Sequence, residues 1–289
     1  MRQADDQRYA EAMSRVRLHE PTNEDIDMLN TRIGAPIPDS FSAPIIVRRH
    51  SVRHALNVQK LNEVACKQNI PITHCKARIT GRKELSIEKA YSIIQGPKNA
   101  LGDGILSVIP GAPLIITKNL KYLPVPLMNG NIVEFYGFAN VPSQEQGIGI
   151  LSAPQYMLVK LRSEETVVQI EGLPPDVVPI WPESFRYNAG HGRWVRLLQF
   201  PATLAYAISD YKCQGQTYDF LRVDIKKPNT GNASVMSPYV QLSRSRSLHG
   251  LSILRPFDPD ELRAPIPDEL KEELEWEQMM SKRTAEIYP

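Results

Sequence analysis

The segment Ala205-Tyr-Ala-Ile-Ser-Asp-Tyr-Lys-Cys-Gln-Gly-Gln-Thr217 carries the densest set of groups suited to chemistry. An apolar run leads into a loop with one glycine, two glutamine amides, hydroxyls and a lysine. These are the donors needed to track phosphates while the backbone approaches closely at Gly215. Taken alone, the pattern also fits an ordinary polar loop. A second stretch, Tyr239-Val-Gln-Leu-Ser-Arg-Ser-Arg-Ser247 followed by Gly250-Leu-Ser-Ile-Leu254, lifts the first above a lone motif.

Other constellations carry less. His50-x-x-x-His54 sets two imidazoles on one helical face, but the intervening Ser51-Val-Arg lacks the glutamate of a zinc-protease helix and no third ligand is evident, so both read as surface histidines. Cys213 adjoins Lys212, yet no histidine-based dyad can be read, and an ordinary thiol is expected. Trp181, Tyr187 and Trp194 suit base stacking, and equally suit filling a small core, which is the commoner use.

The elements that must position these residues follow from pattern. Between Asp5 and Arg32, apolar Tyr9, Met13, Val16, Ile26 and Leu29 stand among charges, as in two short helices packed by one face, the second capped by Thr22 or Asn23. Gly34, Pro36 and Pro38 mark a connector. Ile45-Ile46-Val47 reads as a strand buried on both faces, followed by a helix over Val52–Lys67 that ends at Gln68-Asn69-Ile70-Pro71, then a strand at Ile72–His74. That order predicts an α/β layer with parallel strands. After about Leu106 the texture turns to short strand candidates at Pro113–Thr117, Ile132–Tyr136, Tyr156–Lys160, Thr166–Ile170 and Arg193–Leu198, the spacing of a small all-β barrel, with Asn129-Gly130 as a type I′ turn. Apolar runs at Leu204–Ile208 and Leu221–Ile225 and a helix start over Pro238–Ser245 restore the α/β texture. The predicted layout is a helical lead-in and connector at 1–43, a discontinuous α/β domain at 44–105 and 200–257, an inserted barrel at 106–199, and an acidic C-terminal helix within 258–289, running from Pro267 to about Ala285.

Composition sets the bounds. In 289 residues, 34 Lys+Arg stand against 32 Asp+Glu, which excludes a histone-like tail but permits local basic grooves. Hydrophobic residues at 42% argue against wholesale disorder, and 24 prolines favour loops and edge strands over long helices. Three cysteines without a Cys-x-x-Cys pair indicate neither a disulfide framework nor a zinc site, hence a reducing compartment. The start is too polar for a secretory signal and too acidic for a transit peptide. The most apolar stretch, Gly104–Thr117, is broken by Pro110 and Pro113 and is shorter than the roughly 20 residues of a bilayer span. No membrane partner is expected.

These stretches resemble a known family. Residues 207–217 look like motif V, and Tyr239–Arg244 like motif VI, of superfamily 1 5′-to-3′ DNA helicases of the petite-integration-frequency type, which include the helicase half of Helitron transposons. Ile45–Asn57, with Arg49, Val52, Arg53 and Asn57, is similar to the motif IV region, and Gly111–Asn119 with Met128-Asn-Gly130 resembles the entry to the family's inserted barrel. The resemblance spans roughly Ile45 to Phe257. It implies a second RecA-like domain, a parallel sheet with flanking helices, that carries an inserted small SH3-like β-barrel. In such helicases ATP sits between two RecA-like domains and its hydrolysis drives movement along single-stranded DNA. The resemblance makes Arg244 the arginine finger, a planar, always-charged fork for the charge that develops in phosphoryl transfer. It makes Gln214, Gly215 and Gln216 the residues that couple nucleotide state to DNA, and it puts Ser209, Lys212 and Thr217 near the strand's phosphates, with Arg49 and Arg53 adding to that groove. For each arginine the alternative is a solvated helix face.

One departure matters as much as the match. The phosphate-cradling Gly-x-x-x-x-Gly-Lys-Ser/Thr does not occur: the chain contains no Gly-Lys pair, and Gly81-Arg-Lys83 and Gly96-Pro-Lys98 are not followed by Ser or Thr. Nor does an apolar strand end in adjacent acids to hold magnesium. The expectation is the C-terminal part of an ATP-dependent DNA helicase, inactive alone. ATP and Mg2+ would bind only with the missing first RecA-like domain, supplied in cis or in trans. Single-stranded DNA is the expected partner and the nucleus the expected location, with repair, recombination or transposition implied by family alone. The other reading is a non-enzymatic single-stranded DNA-binding or regulatory module derived from a helicase.

Overall fold

The computed structural model describes residues 3, 5–38, 43–80, 104–139, 150–151, 154–162, 167–188, 194–227, 234–266 and 268–287. Thr166, Arg193, Pro267 and the Gly81 and Gly96 stretches named above lie outside these residues, as does the side chain of Tyr187. The chain forms two compact units, one of Met1–Arg48 with Cys213–Pro289 and one of Arg49–Lys212. Elements are numbered along the chain.

In the first unit, α1 (Gln7–Arg17) starts where the Asp6 carboxylate accepts the Tyr9 N–H at 3.1 Å. Its buried face is Tyr9, Ala12, Met13 and Val16, the spacing expected of a helix packed on one side. In α2 (Asn23–Asn30) the cap is Thr22: its hydroxyl accepts from Asp25 N–H while the Asp25 carboxylate accepts from Thr22 N–H, a closed capping box. Arg15 grips the same carboxylate with two 2.7 Å bonds, and this pairing above all holds the Asp25 carboxyl below the usual carboxylate range. The unit's strands β1 (Ile45–Val47), β14 (Leu221–Asp224) and β15 (Leu251–Ile253) run parallel, with Ile46 opposite Val223 and Val223 opposite Ile253. Their apolar residues are buried on both faces, which is why they read as unbroken runs. Helices α4 (Ser237–Leu242) and α5 (Asp268–Ile287) complete it.

The second unit opens with α3 (His50–Gln68), which ends because Asn69 takes the left-handed conformation and Ile70 N–H turns back to Ala65 O. Strands β5 (Pro113–Ile116), β6 (Ile132–Ala139), β8 (Tyr156–Leu161), β9 (Val177–Ile180) and β12 (Ala202–Leu204) form an antiparallel sheet in the order β12-β5-β6-β8-β9. A bulge at Phe135–Gly137 bends β6. Strands β3 (Arg78–Thr80), β10 (Glu183–Asn188) and β11 (Trp194–Gln199) form a second sheet, ordered β10-β11-β3. A third contains β2 (Thr73–Lys76), β4 (Ile105–Val108) and β7 (Ile150–Leu151). One core built on Leu106, Leu114, Ile116, Met157, Ile180 and Phe200 joins the five-stranded sheet to the sheet of β2 and β4, and β13 (Ala207–Ser209) packs on α3.

Four local expectations change. The strand near Ile72–His74 does not join β1: β2 pairs with β4 and β7, because it buries only Cys75 and so suits a sheet with one buried face. Residues 167–170 form no strand, since the Asp176 carboxylate captures Val168 N–H at 2.9 Å and Asp176 N–H returns to Val168 O. At Asn129-Gly130 only Gly130 has a positive φ (102°), so the turn is not type I′, which needs two such residues. The run Leu204–Ile208 divides between β12 and β13 at Ala205-Tyr206.

Gly250 sets the tightest approach. A Cβ there would lie 1.8 Å from the carbonyl oxygen of Asp219, beside the bond from Leu221 N–H to Gly250 O that starts the β14–β15 pairing. Gly250→Ala must therefore push backbone from backbone, and the expected result is a loss of about 1–3 kcal/mol, read as a lower urea midpoint. An unchanged midpoint would show that this approach is not fixed.

Candidate nucleic-acid interface

The cationic residues singled out in the sequence meet in the second unit. Arg49 is the exposed N-cap of α3 and no side chain caps that helix, so first-turn amides keep their donor capacity at its positive end. One turn on, Arg53 is half-buried, and its Nε is buried without a hydrogen-bond partner among the described residues. Lys212 ends a 3-10 turn, Asp210–Lys212, and its ammonium donates to the Asn129 side-chain oxygen. Burial, and then the nearby charge of Arg53, push the Lys212 amine below the ordinary lysine range. Two cations thus crowd a site braced by a neutral amide, an arrangement that an anion relieves. Asp210, whose carboxylate accepts Tyr211 N–H, is the acid of the same turn. Exposed Tyr211 stands 6.3 Å, centroid to centroid, from the His50 ring.

Asn129 was legible only as a turn residue. The loop presents it because Asn129 N–H donates to Asn119 Oδ1 at 2.8 Å, Met128 N–H donates to Asn131 Oδ1 at 2.6 Å, and Gly130 N–H reaches Ile116 O. Asn57, buried on α3, fixes the approach to the lysine: its amide donates to Ala207 O at 2.9 Å and accepts from Ala207 N–H at 2.8 Å. This clamp holds β13 and therefore the Ser209–Lys212 segment. Ser209 itself is buried on β13.

The remaining residues lie in the first unit. Gln214 and Gly215 are exposed, with Gly215 at φ 81°, and Gln216 N–H closes the turn onto Cys213 O at 3.1 Å. Beyond Thr217, Tyr218 N–H donates to Arg244 O at 2.9 Å and Arg246 N–H to Tyr218 O at 3.1 Å, so the two motif segments run side by side. Arg244 is 6% exposed, and its guanidinium donates from Nε to Val240 O and from a terminal nitrogen to Ser243 Oγ, each at 2.9 Å. The Tyr218 hydroxyl is buried without a hydrogen-bond partner among the described residues. Burial raises its pKa far above the ordinary tyrosine value, Cys213 adds to the shift, and Arg244 offsets part of it. Three further braces escaped sequence reading: Gln3 donates to the Ser243 and Ser245 carbonyls, the Tyr9 hydroxyl to Leu242 O, and Leu248 N–H to Asp6 Oδ2. All hold the flanks of Arg244.

Of the other candidates, His50 and His54 are both exposed, and no cluster of three metal-ligating side chains occurs among the described residues. None of the described helices is long and apolar enough to cross a membrane.

No protein-family model matches the chain. Its mixed α/β fold with a parallel sheet is that of solved DNA helicases. It superposes over 98% of its length on the Pif1 helicase from Candida albicans, with a TM-score of 0.69, 23% identity and 59% of that chain covered. Against Bacteroides Pif1 bound to ssDNA the TM-score is 0.67 at 17% identity, over 98% of this chain and 56% of that one. In sequence it is 26% identical over 250 residues to the ATP-dependent DNA helicase Pif1 of Psychrobacter sp. (strain PRwf-1), a match taking in 76% of this chain and 36% of that protein. It is 37% identical over 83 residues to ATP-dependent DNA helicase PIF1 of Danio rerio, 28% of this chain and 12% of the relative. The chain is a homologue of Pif1 helicases in sequence and fold, and it spans only part of their length. The similarity supports a helicase-related function.

The clamp gives a test of how the loop is held. Asn57→Leu leaves both backbone groups of Ala207 without partners, and the expected cost is roughly 2–4 kcal/mol in urea unfolding. Native-state hydrogen exchange at the Ala207 amide should speed up beyond that global loss. Exchange at the wild-type rate would mean that Asn57 does not hold β13.

Proposed function

We propose that this chain is the C-terminal part of an ATP-dependent DNA helicase, contributing the single-strand groove and the arginine finger to a motor whose ATP-binding half comes from a preceding RecA-like domain. On this reading residues 44–105 and 200–257 are the second RecA-like domain and 106–199 an inserted SH3-like barrel. The observation that carries it is the juxtaposition of Arg53 and Lys212 with Asn129 in a chain homologous to Pif1 helicases. A partly desolvated ammonium next to a guanidinium is unfavourable until an anion arrives, and a backbone phosphate supplies one. Arg49 extends the phosphate track of the second unit; in the first unit Thr217 meets a phosphate of the strand, and Gln214, Gly215 and Gln216 transmit nucleotide state. Arg244 leaves its resting bonds to Val240 and Ser243 to meet the γ-phosphate when the ATP-binding half is present. ATP and Mg2+ belong mainly to that half, since the chain holds no Gly-Lys pair for a phosphate loop.

Binding tests the groove first. A fluorescent oligothymidine should bind the purified chain with an affinity that falls steeply with salt. Removing Arg53 and Lys212 together as alanines should weaken binding about tenfold or more and flatten the log-log salt slope by about 1.4, at roughly 0.7 per single-strand phosphate contact. Unaltered affinity and slope would sink the groove assignment.

Turnover tests the motor. The chain alone should show no DNA-stimulated ATP hydrolysis. Adding the ATP-binding domain of a Pif1 homologue, fused or in trans, should restore it, and Arg244→Ala should then cost about 1000-fold or more. Hydrolysis by the chain alone overturns the proposed division of labour. Binding without restored turnover favours the non-enzymatic single-stranded DNA-binding module.

A further inference from the structure

Helix α5 has two sides of different character. Leu274 is buried, Leu270 one turn earlier is half-buried, and Glu277 pairs with Arg17 of α1, so this side lies against the first unit. Glu272, Trp276, Met279, Arg283 and Ile287 follow one another at steps of four, three, four and four, which sets them in one stripe on the opposite side. All five are exposed, Trp276 and Met279 at 58% each and Ile287 at 57%. Packing within the chain gives no reason for a tryptophan, a methionine and an isoleucine to share a stripe in water, and such a patch marks an interaction surface. The charge along the helix is uneven as well. Residues 268–277 hold six acids and one lysine, whereas residues 278–287 hold one lysine, one arginine and one acid.

We propose that this stripe is a self-association surface, on which α5 pairs antiparallel with α5 of a second copy of the chain about a two-fold axis between residues 277 and 278. In that register Trp276 of each copy packs on Met279 of the other and Glu272 meets Arg283, because the members of each pair lie equally far from the axis. A parallel pairing instead sets Glu272 on Glu272 and Arg283 on Arg283. The stripe is therefore complementary to itself, as a two-fold interface requires. Its apolar centre of tryptophan and methionine between opposite charges has the make-up of a small interface core with a polar rim. The acids of the first half repel a phosphate backbone, so nucleic acid is not the occupant of this face. A single pair of 20-residue helices, about 30 Å long, makes a small interface, and the dimer is accordingly weak, forming over roughly 1–100 µM. This association goes beyond the helicase reading and uses no residue of the groove.

The test is sedimentation velocity on the full chain, free of DNA, from about 1 to 100 µM, where the mean mass should climb from monomer toward dimer. Trp276→Ala combined with Met279→Ala should weaken the dimer about tenfold or more. Glu272→Arg and Arg283→Glu, each alone, set like charges opposite one another, and each variant should stay monomeric over the same range. Mixing these two variants in equal amounts should restore a dimer, because every introduced charge then meets an opposite one. Both changes in one chain should dimerise like wild type for the same reason. Because all four side chains are exposed, every variant should keep the wild-type circular dichroism spectrum and melting point. A wild-type chain that remains monomeric to about 100 µM overturns the proposal. So does a dimer that the substitutions leave unchanged, which assigns association to another surface, and so does a mixture of the two charge variants that fails to associate. The groove is judged apart from this result: a chain that dimerises through α5 but binds no oligothymidine keeps this surface and loses the groove.

Discussion

A single side chain satisfies both polar groups of Ala207. The Asn57 amide, buried on α3, closes a two-bond ring with that residue's N–H and C=O, and the rest of the groove depends on it. A strand of three residues, β13, has too few ladder bonds to fix its own direction. The helix supplies the missing constraint, so the chain leaving β13 reaches Lys212 at a set distance from Arg53 on the same helix. Backbone groups buried in this way must be paired, which makes the clamp costly to open and therefore rigid. Rigidity matters because two cations held together do not settle there by themselves.

The first unit applies the same logic to the arginine motif. Helix α4 is only six residues long, and before β15 the chain beyond it makes a single parallel bridge, Ser245 to Tyr218. Its carbonyls are instead taken up by Gln3 and Tyr9, while Asp6 both caps α1 and receives Leu248 N–H. The N-terminal segment therefore acts as a splint along the residues that flank Arg244. The guanidinium donates to the carbonyl of Val240 and the hydroxyl of Ser243, both neutral acceptors. Arg255, by contrast, is clasped by both oxygens of Asp224 at 2.9 and 2.7 Å, a pairing suited to permanence.

Much of this was legible in the sequence because it rests on local signals. The caps at Thr22 and Asn69, the doubly buried β1 and β14, and the bounds of α3 and α5 follow from residue types within a few positions of one another. Arg53, Lys212 and Arg244 became candidates through the family resemblance, since their local pattern alone also fits a solvated face. What escaped was long-range. Asn129 lies 83 positions from Lys212, Asn57 lies 150 from Ala207, and Gln3 lies 240 from Ser243. No periodicity links such pairs. The misplaced strand near Ile72 failed similarly: alternation shows how many faces a strand buries, not which sheet receives it. Residues 167–170 misled because their β-favouring side chains were overruled by one distant carboxylate, Asp176.

The distribution of charge separates structure from function. Where the fold needs stability, a cation meets a carboxylate: Arg15 with Asp25, Arg255 with Asp224, Arg48 with Glu261 at 3.6 Å in a buried setting. At the groove the pairing is cation beside cation, with Lys212 leaning on a neutral amide. Such a like-charge contact lowers the stability of the empty protein. A fold selected for stability alone has no use for it. Its free energy is recovered when a polyanion binds, and because every recovered contact releases a counterion, the recovery is greatest at low salt. Under the proposed function, the unfavourable contact of the unliganded state is the physical source of affinity for a single strand, and it marks where that strand would lie.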